Sequence, residues 1–296
     1  MAIKELHLNL EDHRHGVEVR GRRELLSRAV EGNWATIFKG RGMEFTGFRS
    51  YTFSDDASLI DWKATLRAKQ TLIREYEEFK NFNVVFLLDV SNSMLFSTGK
   101  KFKAEFGAEL VYSLSQAAFD GGDAIGLGMF SDHLVSHIQP SFGSGIKSQF
   151  ELMLSNKEYY GGEKNFKKSL LEMDSTLRER SIIVLVSDFL GMEKDWEKYI
   201  SMLSHRHMVV GIMIRDTRDR ELPRGGGQFF LKDPNTSETM YVDASDFAKQ
   251  YKELTLENEE YIKRVFKKVR SGCLLMLNED DDPRLIKQFF ASLLVK

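Results

Sequence analysis

The chain has 296 residues, 42% of them hydrophobic and 29% charged, which is enough apolar material to bury one large core or two modest ones. Its 42 basic and 44 acidic residues leave a formal net charge of -2, so no global field draws nucleic acid or an anionic membrane surface towards it. The longest apolar runs, such as Val84–Leu88 and Ile182–Val186, fall far short of the roughly 20 residues that a membrane-spanning helix needs. The opening MAIKELHLNLEDHRHG has the makeup of neither a secretory signal nor a transit peptide, and a soluble, cytoplasmic chain is expected. A single cysteine, Cys273 in the run CLLML, excludes an internal disulfide and a cysteine-built zinc cluster and reads as a buried strand residue.

Residues 1–80 read as a region of their own, with a polar amphipathic start, a helix over Arg22–Val30 and then the β-rich stretches GRGMEFTGFRSYTFSDD and IDWKATLRAKQTLIREYEEF. Within it Arg49, Tyr51, Asp61, Trp62, Lys63, Arg67 and Arg74 form a basic and aromatic cluster that suits interlocking salt bridges better than an anion site. Asp61 with Trp62, and Arg74 with Glu75, alternate as strand residues do.

From 81 to 296, short Val/Ile/Leu-rich runs alternate with segments of helical period, the pattern of a mostly parallel sheet covered by helices on both faces. Six strands are predicted, at Phe82–Leu88, Ala124–Phe130, Leu134–Ile138, Ser181–Val186, Met208–Ile214 and Cys273–Leu277. Between the first two, Phe102, Phe106, Leu110, Leu114 and Ala118 recur every four residues and draw an apolar stripe down a helix that ends at Gly121 and Gly122. Leu134–Ile138 follows its predecessor too closely for a parallel crossover, so it is expected to pair antiparallel at an edge. Further helices fit Ile146–Leu154, Phe166–Leu177, Asp195–Ser204, Phe247–Val269 and Pro283–Leu294. A β-hairpin inserted near 225–243 pairs QFFLK with ETMYV around DPNTS.

The first long strand ends in FLLDVSNSM, which places Asp89, Ser91 and Ser93 in the loop past its carboxyl end, where doubly wound sheets bind ligands. One carboxylate and two hydroxyls at i, i+2 and i+4 can turn three oxygens towards one point, and a hard cation such as Mg²⁺ wants six near 2.0–2.1 Å. Asp188 in VLVSDF follows a later strand directly and reaches the same rim. The histidines His13, His15, His133, His137, His205 and His207 lack the spacing of a zinc protease motif, and RGGG at 224–227 and GDAIGLG lack the features of a phosphate loop. The charge pairs of LTLENEEYIKRVFKKVR suit a solvated helix face.

The D-x-S-x-S run followed by an aspartate after the fourth strand resembles the metal-ion-dependent adhesion site of von Willebrand factor A domains. The order of GRGMEFTGFRSYTFSDDASLIDWKATLRAKQTLIREYEEF, FLLDVSNSM, GDAIGL, SDF and RELP is similar to the bacterial family called domain of unknown function 58, and this resemblance spans nearly the whole chain. It implies a Rossmann-like, doubly wound α/β sheet of about six strands with one antiparallel edge strand, an N-terminal extension and the inserted hairpin. It also implies a bound Mg²⁺ or Mn²⁺ touched by Ser91 and Ser93, with Asp89 and Asp188 reaching it mostly through water and a partner's carboxylate completing the shell. Sites of this family also use a threonine, and Lys164 of YYGGEKNFKKSL falls at that position, where an ammonium repels a cation or replaces its charge. Three readings of the loop therefore stand: a metal site, a pocket in which Lys164 recognises a carboxylate without metal, and a vestigial turn.

The function that the resemblance implies is a non-enzymatic interaction module whose partner is a MoxR-type AAA+ ATPase acting as a chaperone or assembly machine. Many relatives carry transmembrane helices ahead of the conserved core, so a membrane complex would have to recruit a chain without one. Two alternatives stand beside it. One is a Mg²⁺-dependent phosphoryl hydrolase with Asp89 as nucleophile, disfavoured because Ser91 stands where the second aspartate belongs; the other is a structural scaffold.

Overall fold

The computed structural model describes residues 6, 8 and 10, 43–52, 55–78, 82–222, 228–232, 239–278 and 283–294. The helix expected over Arg22–Val30, the RGGG turn and the hairpin tip DPNTS lie outside them. The chain divides into two compact units, one of Phe38–Phe82 and one of Met1–Ile37 with Asn83–Lys296.

In the smaller unit β1 (Met43–Ser50) pairs antiparallel with β2 (Leu72–Glu78), with an irregularity between Phe45 and Gly47, and α1 (Trp62–Ala68) runs between them. Asp61 and Trp62 were expected to alternate along a strand; instead they open a helix. The Asp61 carboxylate accepts from the Lys63 and Ala64 amides at 3.0 Å each, and satisfying two of the first-turn donors outweighs the strand-like alternation of the side chains. Arg49 grips Asp55 through both guanidinium nitrogens, at 2.8 and 2.6 Å, and this hydrogen bonding holds the Asp55 carboxyl well below the usual carboxylate range.

The larger unit is an α/β fold built on a six-stranded, mostly parallel sheet. Its strands are β3 (Asn83–Asp89), β4 (Ala124–Phe130), β5 (Leu134–Ser141), β6 (Ser181–Ser187), β7 (Met208–Arg215) and, after the hairpin β8 (Gln228–Lys232) and β9 (Thr239–Asp243), β10 (Cys273–Leu277). The spatial order is β10-β7-β6-β3-β4-β5, with β5 antiparallel at the edge. β8 and β9 form a separate antiparallel pair. The chain leaves β3 towards β4 and later returns to its other side at β6, so winding reverses at β3 and β6.

β3, β4 and β6 are buried on both faces, which explains their unbroken apolar sequences. On one face α2 (Lys103–Asp120) lies close to the sheet: a Cβ added to Gly107 would stand 2.9 Å from Leu88 Cδ1 and 3.2 Å from Ile214 Cδ1. That closeness selects small residues beside Leu88, and Ala104, Gly107, Ala108 and Val111 are buried together with Leu110, Leu114 and Ala118 of the expected stripe. Phe102 and Phe106 of the expected stripe stay partly exposed. On the other face Val85, Leu87, Ile183, Leu185 and Met213 pack against Phe166 and Leu170 of α4 (Phe166–Thr176), Ile200 of α5 (Glu197–Arg206) and Phe266 of α7 (Ala244–Lys268). α3 (Gly145–Leu154), the short α6 (Thr217–Arg220) and α8 (Pro283–Leu294) complete the helices of this unit among the described residues. Cys273 lies on β10, where burial pushes its thiol up to about 12. Among the described residues no helix is long and apolar enough to cross a membrane.

Candidate functional site

The carboxyl ends of β3 and β6 are neighbours in the sheet, and the loops that leave them carry the residues singled out by sequence. Asp89 ends β3, and its Oδ1 accepts the Ser91 amide at 3.0 Å, which folds the chain back into a tight turn over Asn92–Leu95. The turn brings Ser91 Oγ and Ser93 Oγ to 3.3 Å of one another, both buried. The loop before α4 closes over it: Asn92 N donates to Gly162 O at 2.9 Å, Gly162 N to Asn92 Oδ1 at 3.2 Å and Gly161 N to Val90 O at 2.7 Å. Gly161 and Gly162 both hold left-handed backbone, at φ 122° and 94°.

This loop delivers Lys164 into the space between the two aspartates. Its ammonium is 2.8 Å from Asp89 Oδ2 and 2.6 Å from Asp188 Oδ1, and it also donates to Leu190 O at 3.2 Å. The Lys164 side chain is 1% exposed and both aspartates 0%. Three protons thus meet three acceptors, and the nitrogen has no donor left over. Burial pulls the Lys164 pKa down, but Asp188 and Asp89 outweigh it and raise it above the ordinary lysine value.

Asp89 and Asp188 thus meet at one ammonium, Ser91 and Ser93 meet each other, and further groups join the aspartates. Ser187 Oγ donates to Asp89 Oδ2 at 2.6 Å. Lys103, the first residue of α2 and 1% exposed, bridges Asp188 Oδ2 at 2.9 Å and Asp219 Oδ2 at 2.7 Å. Asp219 is held by the Asp216 amide at 2.9 Å, and Asp216 accepts from Thr98 N at 2.8 Å and Asn278 Nδ2 at 3.1 Å, which ties the ends of β3, β7 and β10 together. Burial pushes the Asp188 carboxyl up, yet Lys103 and Lys164 hold it far below the usual carboxylate range. Arg215, fully buried at the end of β7, donates Nη2 to Asn258 Oδ1 at 2.9 Å.

Sequence reasoning missed Lys103, Ser187, Arg215 and Asp219. One signal was available: RDTRD follows β7 as SDF follows β6, and every parallel strand delivers its carboxyl end to one rim. His207 is buried just before β7. Its Nδ1 accepts the Ser181 amide at 3.1 Å and its Nε2 meets Asp174 at 3.0 Å, away from this rim.

The loop after Asp188 is itself unusual. Phe189, Gly191 and Asp195 all hold left-handed backbone, at φ 50°, 62° and 63°. For a phenylalanine this conformation costs about 1–3 kcal/mol, and the ring offsets it by packing. It makes edge contacts with Phe166 at 6.1 Å and Phe266 at 5.7 Å, while its amide donates to Ser187 Oγ at 3.0 Å.

A family model described as protein of unknown function DUF58 matches residues 47–261. Among curated proteins, an uncharacterized protein of Mycobacterium tuberculosis is 23% identical over 208 residues, 69% of this chain and 65% of its own length. The chain thus spans less than two thirds of the length of such relatives. A second uncharacterized protein, from Mycobacterium avium, is 39% identical over 77 residues, 24% of this chain and 44% of that one. Among solved structures, a conserved hypothetical protein, BatB of Bacteroides thetaiotaomicron, shares 13% identity, with 73% of this chain and 100% of that one covered, at a TM-score of 0.49. An aerotolerance-related membrane protein of Bacteroides fragilis, carrying multiple mutations to serines, shares 18% with 72% and 100% covered, also at 0.49.

Proposed function

We propose a function from the premise that this chain belongs to the DUF58 family of proteins of unknown function: it is a non-enzymatic interaction module of von Willebrand A type that works without metal. In this reading it docks a protein partner on the loops at the carboxyl rim of its sheet. The observation that carries the reading is the Lys164 ammonium, within 2.8 Å of both Asp89 and Asp188. It stands at the point those carboxylates face, which is where the resemblance places Mg²⁺ or Mn²⁺ beside Ser91 and Ser93. The residues present do not suit a divalent cation. Entry would set two positive charges against each other in a site closed to water, or leave a buried ammonium without acceptors.

The same geometry argues against Lys164 recognising a partner's carboxylate, because its three protons are already donated inside the chain. The ion cluster then acts as an internal clamp that fixes the loops the partner touches. A phosphoryl hydrolase is disfavoured too. Asp89 is 0% exposed and accepts from the Ser91 amide, Ser187 and Lys164, so burial and these three donors shield it from an incoming phosphorus. The partner proposed is the MoxR-type AAA+ ATPase that the family resemblance implies, met in the cytoplasm or at a membrane complex that recruits the chain.

Two measurements test this. Calorimetric titration of the chain with Mg²⁺ and Mn²⁺ should show no binding up to millimolar concentrations; stoichiometric uptake contradicts the metal-free reading. Surface binding of the purified MoxR-type ATPase from the same genome, with MgATP present, should weaken at least tenfold for Phe96→Glu. Phe96 is 40% exposed, with its ring 5.8 Å from the Lys103 ammonium. An unchanged affinity moves the docking surface away from this rim, and phosphatase turnover abolished by Asp89→Asn would refute the non-enzymatic reading.

A further inference from the structure

The basic and aromatic cluster expected to interlock in the smaller unit divides in the structure. Arg49 is held by Asp55, and the Asp61 carboxylate by the first amides of α1. Trp62, Lys63 and Arg67 are not drawn in. All three stand exposed, and Lys63, Arg67 and Lys69, which closes the helix, make no ion pair among the described residues.

Helical spacing sorts these side chains. Trp62, Leu66 and Lys69 follow one another at i, i+4 and i+7, and Lys63 and Arg67 lie beside them, about 100° round the helix. The inner face is given to Ala64 and Thr65, both half-buried, with Thr65 Oγ1 accepting the Leu72 amide at 3.0 Å. Trp62 is 66% exposed and Leu66 80%, so the outer face is an apolar ridge flanked by cations. Single exposed apolar residues are ordinary, but a tryptophan and a leucine one turn apart mark a contact surface. Acids do not balance the cations here. Asp55, Asp56 and Asp61 are engaged with Arg49 and with the amides of Ser58, Lys63 and Ala64, and Glu75, Glu77 and Glu78 lie three to six residues beyond Leu72, roughly 10–20 Å along β2.

The occupant must therefore offer apolar surface and negative charge together. An anionic bilayer does so in layers: its phosphates meet lysine and arginine heads whose stems run along the apolar region, and its headgroup level is where tryptophan rings settle. Nucleic acid uses the cations and Trp62 but leaves Leu66 in water. We propose that α1 docks the smaller unit on an anionic membrane surface, with Trp62 and Leu66 entering at headgroup level and Lys63, Arg67 and Lys69 against lipid phosphates. The net charge of -2 supplies no long-range attraction, so the contact is local and reversible and weakens with salt. It is independent of the partner proposed for the rim of the larger unit.

The test is co-sedimentation of the full chain with vesicles of phosphatidylcholine alone and of phosphatidylcholine with 30% phosphatidylglycerol. The native chain should bind the mixed vesicles at least tenfold more tightly than the neutral ones and lose most of that preference in 0.5 M salt. Lys63→Gln with Arg67→Gln, and separately Trp62→Ala with Leu66→Ala, should each weaken binding at least tenfold while leaving Tm within about 2 °C, since all four side chains are exposed. Brominated lipid should quench a component of the tryptophan fluorescence that disappears in Trp62→Phe. Absence of binding, equal binding to both vesicles, or native-strength binding by either double variant overturns the proposal. So does self-association, or capture by polyglutamate, that depends on Trp62 and Leu66 while the vesicles stay bare, which would assign the ridge to a protein surface.

Discussion

Replacing Lys164 with methionine keeps the volume of the side chain and removes its charge. In the native chain the ammonium is enclosed by Asp89, Asp188 and Leu190 O, with pair distances of 2.8, 2.6 and 3.2 Å and 1% side-chain exposure. Breaking a fully buried ion pair by deleting one partner costs about 3–5 kcal/mol, against about 0–1 kcal/mol for a pair at the surface. For a domain of roughly 150–250 residues each kcal/mol moves Tm by about 2–4 °C, so Lys164→Met should melt roughly 6–20 °C lower at neutral pH. The pH dependence carries the mechanism. Asp188 is held below its ordinary value of 3.8, so its contribution is complete above that value and is lost as pH falls through the lower folded-state value. In Lys164→Met one of its two ammoniums is gone and burial weighs more, so the carboxyl titrates at higher pH and takes up a proton to advantage. The deficit of the variant relative to native should therefore shrink between pH 7.5 and 3.8, the ordinary value of the carboxyl. Differential scanning calorimetry at both pH values measures this. A variant within about 2 °C of native at pH 7.5, or a deficit that does not change with pH, refutes a buried ammonium clamped between two carboxylates.

Lys164→Thr introduces the residue that the resemblance implies at this position, and its Tm should rise with millimolar Mg²⁺ and fall with chelator, whereas the native Tm should respond to neither; scanning fluorimetry reads both. Gly211→Ala on β7 would place a Cβ 2.7 Å from Phe266 Cζ and 2.9 Å from Cys273 Sγ, and overpacking of this kind should lower stability by about 1–3 kcal/mol in denaturant titration. Burial lowers the His207 pKa below 6.5 despite the opposing pull of Asp174. Its neutral form therefore supports the fold above 6.5, and that support is lost as pH falls through the lower folded-state value; His207→Gln should flatten the slope of stability against pH in that window, as urea melts would show. Asp61→Ala removes two capping bonds from α1 and should lower stability of the smaller unit by about 1 kcal/mol.

The sheet was legible because its central strands obey one physical rule: buried on both faces, they carry unbroken apolar runs such as Val84–Leu88 and Ile182–Val186, and the short link after Phe130 leaves only an antiparallel edge for β5. Extent was less legible, since β5 runs on through Pro140 to Ser141 along an edge where pairing on one side suffices. The face of α2 was read correctly at Leu110, Leu114 and Ala118 but not at Phe102 and Phe106, because a helix lying 2.9 Å from Leu88 by a notional Cβ selects glycine and alanine over large residues in its first turns. The start of α1 was misread because a cap competes with side-chain alternation, and only geometry shows which wins.

Within the candidate site, the meeting of Asp89 and Asp188 was legible through the rule that parallel strands share a carboxyl rim, and Lys164 through the family resemblance. Lys103 had no such mark. It opens a helix ten residues past the serine loop, and only folding reveals that the N-terminal turn of α2 points it at Asp188 and Asp219. The charge balance of the cluster, two ammoniums threaded among three carboxylates, is a property of the assembled rim and of no single segment.

The most direct test is a crystal grown in millimolar Mn²⁺ with anomalous data collected at the manganese edge. No anomalous peak should lie between the β3 and β6 loops, and the Lys164 nitrogen should sit within about 3 Å of an oxygen of each aspartate. A manganese ion bound by the Ser91 and Ser93 hydroxyls, with the lysine swung out to solvent, contradicts the account.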